Sequence, residues 1–116
     1  MPLAEIAKSQ WQPFFDRFSA ALGAKSVDID IVGPRLGSQE EARHVALTGL
    51  SYDRKSDIFA VIGEDLEHNI LHPTRISADR ELDVVRSVEV VDEAGDHHIL
   101  TLADPLSLPP LPRPGA

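Results

Sequence analysis

Five histidines, His44, His68, His72, His97 and His98, are the side chains of this 116-residue sequence best suited to bind a metal or move a proton near neutral pH. His68 and His72 are four residues apart. On a helix that spacing puts both on one face, where they could ligate a single ion as in zinc sites. On a strand they also share a face, but stand about 13 Å apart at roughly 3.3 Å per residue, too far for one ion. Pro73 disfavours a helix running past Leu71, so a surface or structural role competes with metal binding at this pair. His97 and His98 are adjacent, which puts them on opposite faces of any strand. They read as turn and rim residues beside the acidic stretch 92–96, and His44 reads as a lone strand histidine.

Paired carboxylates could do acid–base work. Asp28 and Asp30 share a strand face about 7 Å apart, and a solvated face explains them equally well. Asp53 and Asp57 close a turn, and Glu64, Asp65 and Glu67 form an acidic loop, neither with the ligand spacing of a calcium loop. The segment Gly49-Leu50-Ser51 lacks the second glycine of a nucleophile elbow. No phosphate-binding loop or dinucleotide fingerprint occurs, and no cofactor is implied. Cysteine is absent, which removes thiolate chemistry, disulfides and cysteine-ligated metals. Eleven basic against nineteen acidic residues give a net charge of −8, which opposes nucleic-acid binding.

The elements that must position these groups follow from periodicity. Trp11, Phe14, Phe15, Phe18 and Leu22 fall at i, i+3, i+4, i+7 and i+11, predicting a helix over about 10–22 with a buried aromatic stripe. Ser9 with Gln12 matches a capping box, and Gly23 supplies the stop. Val27, Ile29 and Ile31 then alternate with polar residues, as in a half-buried strand. Residues 38–42 could form a helical turn with Ser38 and Glu41 as a second capping box. His44 to Tyr52 reads as a long strand with a bulge or bend at Gly49, joined through the polar turn 53–57 to an apolar strand over 58–62. Residues 64–71 are ambiguous between helix, loop and strand, 74–78 are strand-like, and 87–91 with 98–102 form a hairpin around a turn ending at Gly95. From Asp104 onward Pro105, Pro109, Pro110, Pro112 and Pro114 predict a tail outside the ladder, mobile or polyproline II.

The expected fold is therefore α+β: an N-terminal helix followed by a small, strongly bent antiparallel sheet or partly closed barrel of five to six strands. One domain covers 1–104, with strands over about 26–103, and the tail covers 105–116. No apolar run approaches the roughly 18 residues of a membrane span, and the first residues lack the basic flank and apolar core of a signal peptide. A bacterial-type cytoplasmic location is the expectation.

The segments Trp11-Gln12-Pro13-Phe14-Phe15-Asp16-Arg17-Phe18, Leu47-Thr48-Gly49-Leu50-Ser51-Tyr52-Asp53, Ile70-Leu71-His72-Pro73 and Val88-Glu89-Val90-Val91-Asp92 occur in order, with Asp104-Pro105-Leu106 at the end. Together they resemble a bacterial family of domains of unknown function, number five-three-three-five, over about residues 9–108. The resemblance implies a small cytoplasmic domain and carries over no catalytic or binding residues. The order of elements, helix then five strands, is also similar to Sm-like barrels, but the basic glycine-containing motif of RNA-binding Sm proteins has no counterpart.

The functional expectation is a non-enzymatic protein-interaction or assembly module. Its docking edge is read at residues 68–78, where Asn69, Ile70, Leu71 and Arg75 are the candidate contact residues: charges are few there, and an unpaired edge is either used for self-association or a partner strand, or covered in a monomer by the proline-rich tail. Two alternatives stand beside it. One is a small enzyme or metal-binding protein using His68 and His72 with nearby carboxylates. The other is an Sm-like RNA binder, which needs a basic patch from Arg54, Lys55, Arg75, Arg80 and Arg86.

Overall fold

The computed structural model describes residues 3–35 and 37–108. The chain runs β1 (Leu3–Ile6), a 3-10 turn (Lys8–Gln10), α1 (Trp11–Ala21), β2 (Lys25–Gly33), β3 (Gly37–Asp53), β4 (Ile58–Gly63), β5 (Glu67–Leu71), β6 (Pro73–Glu81), β7 (Val84–Asp92) and β8 (His97–Ser107). All eight strands join one antiparallel sheet in the order β1-β6-β7-β8-β2-β3-β4-β5. Among the described residues the fold is mainly β with one early helix, and the sheet does not close. This corrects the expected α+β arrangement with a five- to six-stranded barrel, and with it the Sm-like order, since a strand precedes the helix and seven follow it.

The extra strands come from segments with little hydrophobic alternation. Residues 38–42, expected as a helical turn, are the start of β3, paired with β2 from Gly33↔Gly37 to Ile29↔Ala42. That half of β3 is exposed on both faces, so no period-two pattern announced it. Residues 67–71 form β5, and β1 adds to β6 from Leu3↔Asp79 to Ile6↔Ile76.

The expected helix is present. Its stripe of Trp11, Phe14, Phe15, Phe18 and Leu22 is buried, and Gly23 sits just beyond the end at φ +60°, the left-handed stop glycine tolerates best. The capping box is not formed. The helix instead grows out of the 3-10 turn, with the Gln10 N–H donating to the Ala7 carbonyl at 2.8 Å and no side-chain cap. Trp11 donates its indole N–H to the Ile6 carbonyl at 2.9 Å, fixing β1 to the helix start. Ser19 Oγ donates to the Leu50 carbonyl at 2.6 Å and accepts the Leu50 N–H at 3.0 Å. This contact lies at the β3 bulge between Leu47 and Gly49, where the sequence suggested a bend.

Between β5 and β6 stands one residue, His72, with φ 52°. The two strands meet at this corner, yet β5 is the last strand of the sheet and β6 lies next to the opposite edge. The sheet is bent until its two halves face one another, and a single apolar cluster fills the space between them. Beyond residue 104 the chain keeps its place in the ladder, with Val85↔Leu106 and Val84↔Ser107 paired and Leu106 and Leu108 buried. Pro105 falls in the irregular stretch between the Ser87↔Thr101 and Val85↔Leu106 pairs, where a missing N–H removes no ladder bond. The rest of the proline-rich tail, 109–116, lies outside the described residues.

Candidate functional site

Two histidine clusters form, and they separate the pair that the sequence set side by side. On β5, Glu67, Asn69 and Leu71 are exposed while Ile70 is buried and His68 half-buried. His68 and Ile70 therefore point into the bend of the sheet. On β8 the inward face is His98, Leu100 and Leu102. His68 and His98 meet across the interior with Nε2 and Nδ1 3.0 Å apart and ring centroids 5.2 Å apart. His98 Nε2 lies 2.9 Å from Asp92 Oδ2, and Asp92 Oδ1 accepts the Asp96 N–H at 3.0 Å.

The proton positions in the neutral arrangement follow from the partners. A carboxylate only accepts, so His98 donates from Nε2 to Asp92. Neutral His98 then has a bare Nδ1, which accepts from His68 Nε2–H. The result is a directed chain from His68 through His98 to Asp92. Burial holds His68 below the ordinary imidazole value and the neighbouring His98 adds to this, while Glu41 opposes both. Burial pushes Asp92 up, but the hydrogen bonds from His98 and from the Asp96 and Ala94 backbone outweigh it and leave the carboxyl below its usual range. On the other face of the β7–β8 hairpin His97 stands 3.3 Å from Glu89.

His72 belongs to the second cluster, on the outside of the β5–β6 corner. Its Nδ1 is 3.2 Å from Asp57 Oδ2, and its backbone N–H donates to the Asp57 carbonyl at 2.9 Å. Tyr52 donates its hydroxyl to Asp57 Oδ1 at 2.7 Å. Burial and the Asp57 hydrogen bond push the Tyr52 phenol up to about 12, and the same bond holds Asp57 low. Asp57 and His72 are both left-handed, at φ 57° and 52°, a conformation uncommon outside glycine and kept only where the surroundings enforce it. A cleft of about 430 Å³ opens beside them, reaching Lys8, Thr74 and Glu93.

His68 and His72 thus share no ligand position, and among the described residues no group of three or more metal-ligating side chains forms. Asp28 and Asp30 are engaged with Arg43, which binds Asp30 through two nitrogens at 3.0 and 2.7 Å and stands 3.8 Å from Asp28. Asp28 also accepts the backbone N–H of His44 at 2.8 Å, where His44 takes φ 55°. The candidate basic patch is spread over three elements: Arg54 and Lys55 in the β3–β4 turn, Arg75 and Arg80 on β6, and Arg86 on β7. Arg80 lies over the Phe14 ring at 5.3 Å. Residues 68–78 are not one edge either. β5 ends the sheet, but Ile76 to Asp79 are paired by β1 and Arg75 pairs with Val91 of β7. The Ile70 side chain is 1% exposed and faces the core, leaving Asn69 and Leu71 as the outward residues of the edge.

A model of the family of unknown function DUF5335 matches residues 3–111. The chain belongs to that family. It is 36% identical over 110 residues to an uncharacterized protein of Aquifex aeolicus (strain VF5), an alignment covering 94% of this chain and 99% of that protein. No solved structure matches. In this DUF5335 domain the buried His98–Asp92 pair is what the sequence reading missed. One signal pointed to it: His98 shares its strand face with Leu100 and Leu102, so a residue read as belonging to the rim was in phase with the core.

Proposed function

We propose that this domain works by binding rather than by catalysis, and that its docking element is the free edge of β5, which pairs with β5 of a second copy. The observation that carries this reading is the position of β5: it ends an open sheet, and among the described residues its outward backbone groups have no neighbouring strand in the ladder. The exterior beside it is poor in charge. Leu71 and Ile62 are 57% and 39% exposed, Ile58 and Ala60 are half-buried on the same face of β4, and Glu67 is the sole charged residue of the five in β5. Antiparallel pairing about a two-fold axis would set Asn69 beside its symmetry mate, and an amide can both donate and accept there. The acidic balance of −8 favours protein over nucleic acid as the partner. Among the described residues no helix is long and apolar enough to cross a membrane, and a cytoplasmic site of action fits the absence of cysteine.

Light-scattering mass measured across about 10–300 μM tests the reading. A dimer that Leu71→Lys or Asn69→Lys converts to monomer is the expected result. A wild-type monomer throughout that range overturns self-pairing.

A further inference from the structure

We propose that His68, His98 and Asp92 form a proton-operated latch that ties the edge strand β5 to the far wall of the bent sheet and releases it in mild acid. The tie is a long-range one. Three strands, β2, β3 and β4, separate β5 from β8 in the ladder, so the His68–His98 hydrogen bond crosses the interior instead of running along the sheet. It joins an edge to the strand pair that carries Asp92.

Proton counting gives the switch. With Asp92 ionised and both imidazoles neutral, one N–H lies between the rings and one between His98 and Asp92, so three of the four ring nitrogens take part in the chain. One added proton can be held by His98, which then donates to Asp92 from Nε2 and to His68 from Nδ1, while His68 carries its own hydrogen on Nδ1. A second added proton leaves both rings as imidazolium. His98 Nδ1 and His68 Nε2 then both carry hydrogen at a 3.0 Å separation, so the hydrogen bond is replaced by repulsion between two cations. Asp92 from β7 can balance one of those charges and is already committed to His98. Glu41 from β3 is the other carboxylate that attracts a charge on His68, and it acts without a hydrogen bond to the ring. Glu89 faces His97 on the opposite side of the hairpin, and Glu67 points outward from β5.

Once the latch opens, β5 retains its pairing to β4, the buried Ile70 and the His72 N–H to Asp57 carbonyl bond. Loss of the cross-sheet tie therefore loosens the edge strand without unfolding the domain. The latch regulates the edge proposed above as the docking element, but it is read in the unpartnered chain and does not depend on that proposal.

Backbone amide exchange of the full chain, followed by NMR at pH 7.5 and 5.0 with intrinsic rates removed, tests the latch. Protection of the β5 amides is expected to fall at least tenfold at pH 5.0 relative to amides in α1. His68→Leu, which extends the apolar face of Ile70, is expected to abolish that difference. If this variant does not fold, ring-nitrogen spectra of the wild-type decide: His68 should gain its second proton below the ordinary imidazole range, and the signals of His98 should move with it. An equal β5-to-α1 ratio at both pH values overturns the latch. So does an unchanged pH effect in His68→Leu, or a His68 ring that titrates without moving His98. A dimer with pH-independent exchange would keep the docking edge and remove the latch, and a strict monomer with pH-dependent exchange would do the reverse.

Discussion

Phe15 and Phe18 enter the core from α1 at 0% exposure, and Phe15 stands edge-on to Phe59 of β4 with ring centroids 4.9 Å apart. His68 points half-buried into the same bend from β5 and hydrogen-bonds His98, with Asp92 behind it. The aromatic contact depends on shape and on apolar area removed from water, neither of which a proton changes. The imidazole contact depends on which nitrogens carry hydrogen. A single hydrophobic core is thus held at one place by an attachment indifferent to pH and at another by one that responds to it.

The sharpest way to test that contrast is to remove each attachment in turn. Phe18→Ala should cost about 3–5 kcal/mol, as large core truncations do, and the loss in urea melts should be the same at pH 7.5 and 5.5. A loss below about 1 kcal/mol would mean that the stripe does not hold the core. His98→Ala should cost less, about 1–3 kcal/mol at pH 7.5, chiefly because Asp92 and His68 lose their shared partner in a poorly solvated place. The pH effect ranks third. His68 is held below the ordinary value of 6.5, so the unfolded chain binds the proton more readily than the folded one. Its contribution to stability is complete above pH 6.5 and is lost as the pH falls through the folded value, while the lowered Asp92 adds a further loss below about pH 4. Urea melts of His68→Leu should lack the first of these two losses. The smallest effect is expected at the corner, where the His72 side chain is 58% exposed. His72→Asn keeps a residue tolerant of positive φ and should change stability by less than about 0.5 kcal/mol, so a loss above about 1 kcal/mol would place structural weight on the corner instead of the latch.

What the sequence made legible follows the same division. The aromatic stripe of α1, the alternation of Val27, Ile29 and Ile31, the bulge at Gly49 and the hairpin around Gly95 were readable because each has a period or a glycine with one physical meaning. The first half of β3 has no period, since Ser38, Gln39 and Glu40 are exposed on a strand that runs past the core, and Gly37 at φ +68° reads as a turn residue and announces no strand. β1 is too short to show a period, and its pairing with β6 is set by residues far along the chain. Spacing along the chain placed His68 beside His72, whereas the bend of the sheet placed it against His98. No local pattern encodes a contact made by folding one half of a sheet over the other.

The sheet order also governs when this domain can acquire its structure during synthesis. Leu3 waits for Asp79, and Val27, in the strand that joins the two halves, waits for Leu102. Pairings between residues so distant in sequence slow folding, because a long loop must be ordered before the contact that rewards it. A ribosome releasing this chain from its N-terminus presents α1, with its aromatic face bare, well before the strands that cover the core are complete. The nascent chain therefore passes through a stretch in which exposed phenylalanines and unpaired strand edges coexist, the state in which chaperones engage or chains aggregate.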